Sequence, residues 1–361
     1  MAPGAPVRSS WSNDHSRSNK KSGVLKMKSP LLLTATFLAS ASLAQAETIA
    51  VTADNFAQAE TAWNFANWAR RGADKEILHL REVSPVGAEA PTVRMNWDTL
   101  YSIQIVDVSD DHEFTVTIPD SDLYVSVQIM DEDGFSPYFI VEPGEHKLTV
   151  STDYAFVMFR TELKDRTDAA ALAHLHDVQD MIAVSDYVES SPYISADYDQ
   201  GQLEALRMAY KDEFLKAGID YTYAKAPGAA DQHLLDISHA AGWGGYPPEL
   251  GVSNAYSSSP ALPGDECLGI TFDDPKNKFF TSFTLYDEAG YLMAGNTHIN
   301  SNMWEPNSDG TITVHFNCGD NAINSLSSGG EPFNYSVRNY GVSQAVLNGD
   351  FRPINPKPLE N

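Results

Sequence analysis

Arg94, Asn96 and Asp98 stand two residues apart in the run Arg94-Met95-Asn96-Trp97-Asp98-Thr99-Leu100-Tyr101. In an extended segment alternate side chains share a face, so a cation, an amide and a carboxylate line up there. Met95, Trp97 and Tyr101 fall on the reverse. Such a row can hydrogen-bond a small polar molecule and orient it. Asp98 is then the candidate general acid or base, Tyr101 a proton donor and Arg94 the group that binds substrate charge. The reason is that burial beside an arginine and aromatic rings can tune a carboxylate for catalysis. Asn96 and Trp97 are candidate ligand contacts. The same spacing also describes a solvated strand face with a buried reverse side, and the pattern alone does not separate the two.

No other constellation names a reaction. The chain has no G-x-S-x-G, H-E-x-x-H, phosphate-binding loop, dinucleotide fingerprint or C-x-x-C. Asp131-Glu132-Asp133-Gly134 lacks the alternating ligands and closing glutamate of a calcium loop and reads as a hairpin turn. His174 and His176 would diverge by about 200° on a helix. His174 with Asp177 falls short of a coordination shell. His298 and His315 could meet across neighbouring strands. Neither a metal nor a cofactor is expected.

The elements that must carry these residues can be read from periodicity. A helix is expected over residues 54–71, with Phe56, Ala59, Trp63 and Ala66 on its apolar face and Gly72 as its stop. From Val93 to Arg160 the period becomes two, with strands around 114–118, 124–130, 138–141, 146–150 and 155–160. Helices follow over 168–183, started by Thr167, then over 200–217, ended by Gly218, and over 229–241. Gly242-Trp243-Gly244-Gly245-Tyr246-Pro247-Pro248 reads as an ordered loop. Strands return at 267–272, 279–286, 291–298, 311–318 and 333–340. The expected class is α+β, mainly antiparallel β, with two β-sandwich or jelly-roll-like domains joined by a helical segment. The boundaries fall at 47–165 for a first helix and β domain, 166–250 for the connector and 251–361 for the second β domain.

From Met27 the chain reads as an export signal, with Lys28, an apolar run from Leu31 to Leu43, and Ala44-Gln45-Ala46 as an A-x-A cleavage site. The apolar run is shorter than the roughly 20 residues that span a bilayer, and no later segment has one. A periplasmic protein starting near Glu47 is expected, with residues 1–46 removed. The full chain has 24 Lys and Arg against 49 Asp and Glu, a net of −25. Loss of six bases and one acid leaves 18 against 48, a net of −30. Nucleic acid and anionic lipid are poor partners for such a surface, since both need basic patches. A homo-oligomer remains open. Cys267 and Cys318 are the only cysteines. In an oxidising compartment they read as a disulfide, worth on the order of 4 kcal/mol, with two separately buried thiols as the alternative.

Arg94-x-Asn96-x-Asp98-Thr99-Leu100-Tyr101 resembles the hallmark of the tandem domains of unknown function DUF1254 and DUF1214. The likeness continues through Pro119, residues 124–131 and Phe156-Val157-Met158-Phe159-Arg160-Thr161. Gly242 to Tyr246 with Gly251-Val252 is similar to that family's central segment. Phe283-Thr284-Leu285-Tyr286-Asp287, Trp304-x-Pro306-Asn307-Ser308-Asp309-Gly310 and residues 333–340 with Arg338 are similar to its second half. Where the family has R-x-Y-x-P, this chain reads Arg338-Asn339-Tyr340-Gly341. The resemblance implies two β domains and adds Arg160, Trp243, Trp304 and Arg338 as ligand-binding candidates. It names no reaction. Three readings stand: an enzyme, hydrolase or lyase, on a small polar molecule; a periplasmic ligand-binding or accessory protein; or a row that only pins an interface.

Overall fold

A computed structural model describes residues 48–189, 191–221, 223–243 and 253–359. The expected export signal and the loop residues 244–252 lie outside them. Helix α1 (Phe56–Ala69) follows a capping box in which Thr52 N donates to Asn55 Oδ1 at 2.8 Å. Its expected apolar stripe is only half right. Phe56 and Ala59 are buried, Trp63 and Ala66 partly so, and Phe65 and Trp68 are buried as well. α1 packs on two sides at once, which a one-face pattern does not describe. Helices α2 (Ala169–Gln179), α3 (Gln200–Ala217) and α4 (Gln232–Ala241) each start on an aspartate whose side chain accepts a backbone N–H: Asp168, Asp199 and Asp231. The start of α2 is thus Asp168 and not Thr167.

The first strands are β1 (Leu78–His79), β2 (Thr99–Asp107), β3 (Glu113–Ile118), β4 (Val125–Asp131), β5 (Tyr138–Ile140), β6 (Gly144–Thr149), β7 (Tyr154–Glu162) and β8 (Ala183–Ser185). They form a sheet of order β1-β2-β7-β4-β5 and a smaller one of order β6-β3-β8. Phe114, Val116 and Ile118 of β3 meet Val127, Ile129, Val157 and Phe159 of the larger sheet in one core. The period of two sends Ile103, Ile105, Phe156 and Met158 to the opposite face, against Phe65 and Trp68 of α1. Asp131 to Gly134 form the expected hairpin turn. Gly134 N donates to Asp131 O, and Phe135 N to Asp131 Oδ1 at 2.8 Å.

The later strands are β9 (Ile219–Tyr221), β10 (Asn254–Ser258), β11 (Leu268–Phe272), β12 (Phe280–Tyr286), β13 (His298–Asn300), β14 (Ile312–Phe316), β15 (Ser325–Leu326), β16 (Asn334–Tyr340) and β17 (Lys357–Pro358). They make sheets of order β13-β12-β16-β10-β9 and β15-β14-β11-β17. Phe283, Leu285, Tyr335 and Val337 pack from the first onto Leu268, Val314 and Phe316 of the second. All pairings between these strands are antiparallel except β14 with β15. The α+β, mainly antiparallel class is therefore borne out, with sheets packed in sandwich fashion. The expected strand over 291–298 is shorter. Gly295 turns the chain at φ 95°, Leu292 makes one isolated bridge, and β13 begins at His298. Cys267 and Cys318 are joined in a disulfide across a separation of 51 residues, as the two cysteines suggested. Among the described residues no helix is long and apolar enough to cross a membrane.

Candidate functional site

Residues 94–98 are not a strand. β2 begins at Thr99, and Arg94 sits in a turn with φ 58°, a left-handed conformation that a side chain with a Cβ rarely adopts. Three groups of the second half hold it there. Arg94 N donates to Gly290 O at 2.8 Å, Arg338 Nη2 donates to Arg94 O at 3.1 Å, and the Tyr286 hydroxyl donates to Met95 O at 2.7 Å. Such over-determination is what keeps a strained backbone in place. Two glycines leave room beside it: a Cβ on Gly242 would lie 2.6 Å from Arg94 Cγ, and one on Gly290 3.4 Å from Arg94 Nε.

The turn corrects the expected row. Arg94, Asn96 and Asp98 are all buried, but they diverge instead of sharing a face. Arg94 Nη1 donates to Asn334 Oδ1, and its guanidinium lies over the rings of Phe214 and Tyr286 at 4.8 and 4.7 Å. Asn96 Nδ2 donates to the Tyr340 hydroxyl at 2.6 Å and to Thr99 Oγ1 at 3.1 Å. Asp98 Oδ1 meets His298 Nε2 at 2.8 Å and Asn300 Nδ2 at 3.1 Å. Burial alone would push the Asp98 carboxyl up. The charge and hydrogen bond of His298, with Ser282 and Asn300 beside it, outweigh that and hold it below its ordinary value. Trp97 donates from Nε1 to Ser84 O at 3.2 Å and carries Arg166 on its ring face at 4.0 Å.

Arg94 instead joins two other arginines around a cavity of ≈50 Å³. Arg160 projects from β7 on the face that carries Phe156 and Met158, directly across the strand pair from Tyr101. Arg338 projects from β16, paired with Tyr256 of β10 on one side and Ser282 of β12 on the other. The exposures of Arg160, Arg338 and Arg94 are 1%, 2% and 8%. Arg160 Nη2 donates to Gln128 Oε1 at 2.8 Å, and Arg338 Nη2 also reaches the Tyr286 hydroxyl. Among the described residues none of the three lies within ion-pair distance of a carboxylate. Arg94 Nε and Nη2, Arg160 Nε and Nη1, and Arg338 Nη1 make no hydrogen bond there, and neither does Trp243 Nε1. Burial also pushes up the Tyr101 phenol, against the pull of Arg160 and Arg338, and pushes Tyr286 up to about 12. Both are therefore neutral at physiological pH.

Of the candidates, the fold brings Arg94, Tyr101, Arg160, Trp243 and Arg338 to one cavity. Asn96, Trp97 and Asp98 are not among its lining residues, and Trp304 packs on Phe272 in the core of the second sandwich. Tyr256, Tyr286, Asn334 and Gln128 were not singled out from sequence, although they contact or pair with the arginines. The chain's own signal was for Arg160, which ends the apolar run Phe156-Val157-Met158-Phe159. His298 and His315 do not meet, because they belong to different sheets. His174 Nε2 instead meets Asp122 Oδ1 at 2.7 Å on the surface. Among the described residues no group of three or more His, Cys, Asp or Glu is placed to hold a metal ion.

Comparison with solved structures places this fold among known ones. A crystal structure of the VPA0106 protein from Vibrio parahaemolyticus is similar over 86% of this chain and 100% of that one, with 15% identity and a TM-score of 0.56. An uncharacterized protein from Burkholderia cenocepacia is similar over 84% of this chain and 86% of its own, with 18% identity and a TM-score of 0.50. At these identities the likeness is one of fold. No curated protein matches the sequence. Residues 75–185, which carry Arg94, Tyr101 and Arg160, match the family described as a protein of unknown function, DUF1254.

Proposed function

We propose that this is an exported, periplasmic protein whose arginine cavity binds a small anionic molecule. One observation carries the reading: three buried guanidinium groups converge with five nitrogens unpaired and no carboxylate in range among the described residues. A buried charge is costly unless it is paired, so a cluster of this kind is built to meet negative charge. The unpaired arginine nitrogens are all donors, which suits oxygens that only accept. The Met27–Ala46 signature supports the location, and N-terminal sequencing of the protein from cells should return Glu47. The first β domain would be the DUF1254-like unit, residues 166–250 a connector, and residues 251–361 a DUF1214-like unit that contributes Arg338.

Recognition without turnover is favoured over a hydrolase or lyase. Asp98, the sequence's candidate base, is engaged by His298 and does not line the cavity. Tyr101 stays a neutral phenol that can donate a hydrogen bond to a bound oxygen. Thermal melting in phosphate, sulfate and carboxylate salts against chloride tests the reading. A bound anion at a hundredfold its Kd should add about 2.7 kcal/mol. Arg338→Gln should weaken binding at least tenfold, about 1.4 kcal/mol. If no oxyanion raises the melting temperature above chloride at equal ionic strength, the cavity does not bind anions.

A further inference from the structure

We infer that the anion is a carboxylate on an apolar body, its head among Arg94, Arg160 and Arg338 and its body against Trp68, Phe156 and Met158. This rests on the anion-binding reading and adds to it the class of molecule. The cavity is lined by two kinds of group. Arg94, Arg160 and Arg338, with Tyr101 and Tyr256, supply polar surface. Trp68 of α1 and Ile103, Phe156 and Met158, which the period of two turns to the same sheet face as Tyr101 and Arg160, supply apolar surface beside them. A planar guanidinium edge matches a planar carboxylate with two parallel hydrogen bonds. Among the described residues Arg94 keeps the edge of Nε and Nη2 unpaired, while Arg160 and Arg338 add separate donors. A tetrahedral inorganic oxyanion would instead press oxygens onto the phenyl and thioether surface of Phe156 and Met158, where no donor replaces lost water.

Size and surroundings agree. The ≈50 Å³ space holds a carboxylate and a short extension, and a neighbouring cavity of ≈320 Å³ shares the walls Asn64, Thr92, Val93, Gly242 and Trp243. The charges of that second space are largely answered within the protein. Arg207 sits between Glu60 and Glu204, with Glu60 at 2.8 Å, and Lys211 Nζ donates to Ala289 O at 2.6 Å. Trp63, Trp243 and Tyr291 supply ring surface there. A body longer than the first cavity thus continues over aromatic surface and needs no second charge.

The experiment is calorimetric titration of the mature protein with formate, acetate, propionate, butyrate and benzoate. Phosphate, sulfate and neutral butanol are run beside them. Affinity is expected to climb about fourfold per methylene added, the worth of a buried CH2, with benzoate above acetate and butanol silent. Met158→Gln, which puts a polar group into the wall, should flatten that climb. Equal binding of all carboxylates, or tighter binding of phosphate or sulfate than of butyrate, overturns the apolar-body assignment and leaves the anion reading standing. Butanol binding as well as butyrate, or no binding by any anion, overturns both.

Discussion

Arg160→Met is expected to raise the melting temperature of the ligand-free protein, while Arg207→Met lowers it. Both arginines are largely buried, and the difference lies in their partners. Among the described residues Arg160 donates to the neutral Gln128 and has no carboxylate partner. Methionine fills a similar volume on the same apolar face and removes the desolvated charge. Replacing buried ions by well-packed apolar side chains commonly stabilises by about 1–4 kcal/mol. Arg207 is held between Glu60 at 2.8 Å and Glu204. Burial already pushes the Glu60 carboxyl up, and Arg207 is what opposes it. Its removal strands a buried carboxylate, at about 3–5 kcal/mol. That cost shrinks as the pH falls, because Glu60 then takes up a proton. Urea unfolding of the three proteins decides the matter. A destabilised Arg160→Met would mean that this guanidinium is structural, and the gain should disappear when a binding anion is present.

Asp131→Asn is expected to stabilise the protein at pH 8 by up to about 4 kcal/mol and to have little effect near pH 4. Asp131 is buried at the end of β4, and burial pushes its carboxyl up to about 7. The Phe135 amide opposes this, and the charges of Asp133 and Glu132 add to it. A folded-state value above the unfolded one means the native state holds the proton more tightly. Stability from this group is full below the unfolded value and is lost as pH rises through about 7. Asparagine keeps an oxygen for Phe135 N and never acquires the charge. Chemical unfolding at the two pH values reads the difference. Equal effects at both would show that the carboxylate is not the source of the pH dependence.

What was legible in the chain was what local rules govern. The alternation in residues 114–118 and 333–340 gave strands, and the helix expected over 200–217 does stop at Gly218. The same alternation sent Tyr101 and Arg160 to the face that became the cavity. The row of Arg94, Asn96 and Asp98 failed as a row because its conformation is imposed from outside. No local preference puts an arginine at φ 58°; the Gly290 carbonyl and the Arg338 guanidinium do so. His298 was weighed only as a neighbour of His315, since nothing nearby in sequence shows that its partner is a carboxylate 200 residues earlier.

The length of those separations bears on how the protein comes to be made. Arg94 is tied to Asn334 across 240 positions and Asn96 to Tyr340 across 244. A ribosome must therefore deliver nearly the whole chain before the turn that cradles Arg94 can close. Contacts so distant are slow to form, because the entropy of closing the loop is spent before they reward it. Until β12 and β16 arrive, the segment before β2 lacks the contacts with the second half that fix its turn. The cavity is thus among the last features to be assembled, and a truncated chain that still folds its first sheets would have no site at all.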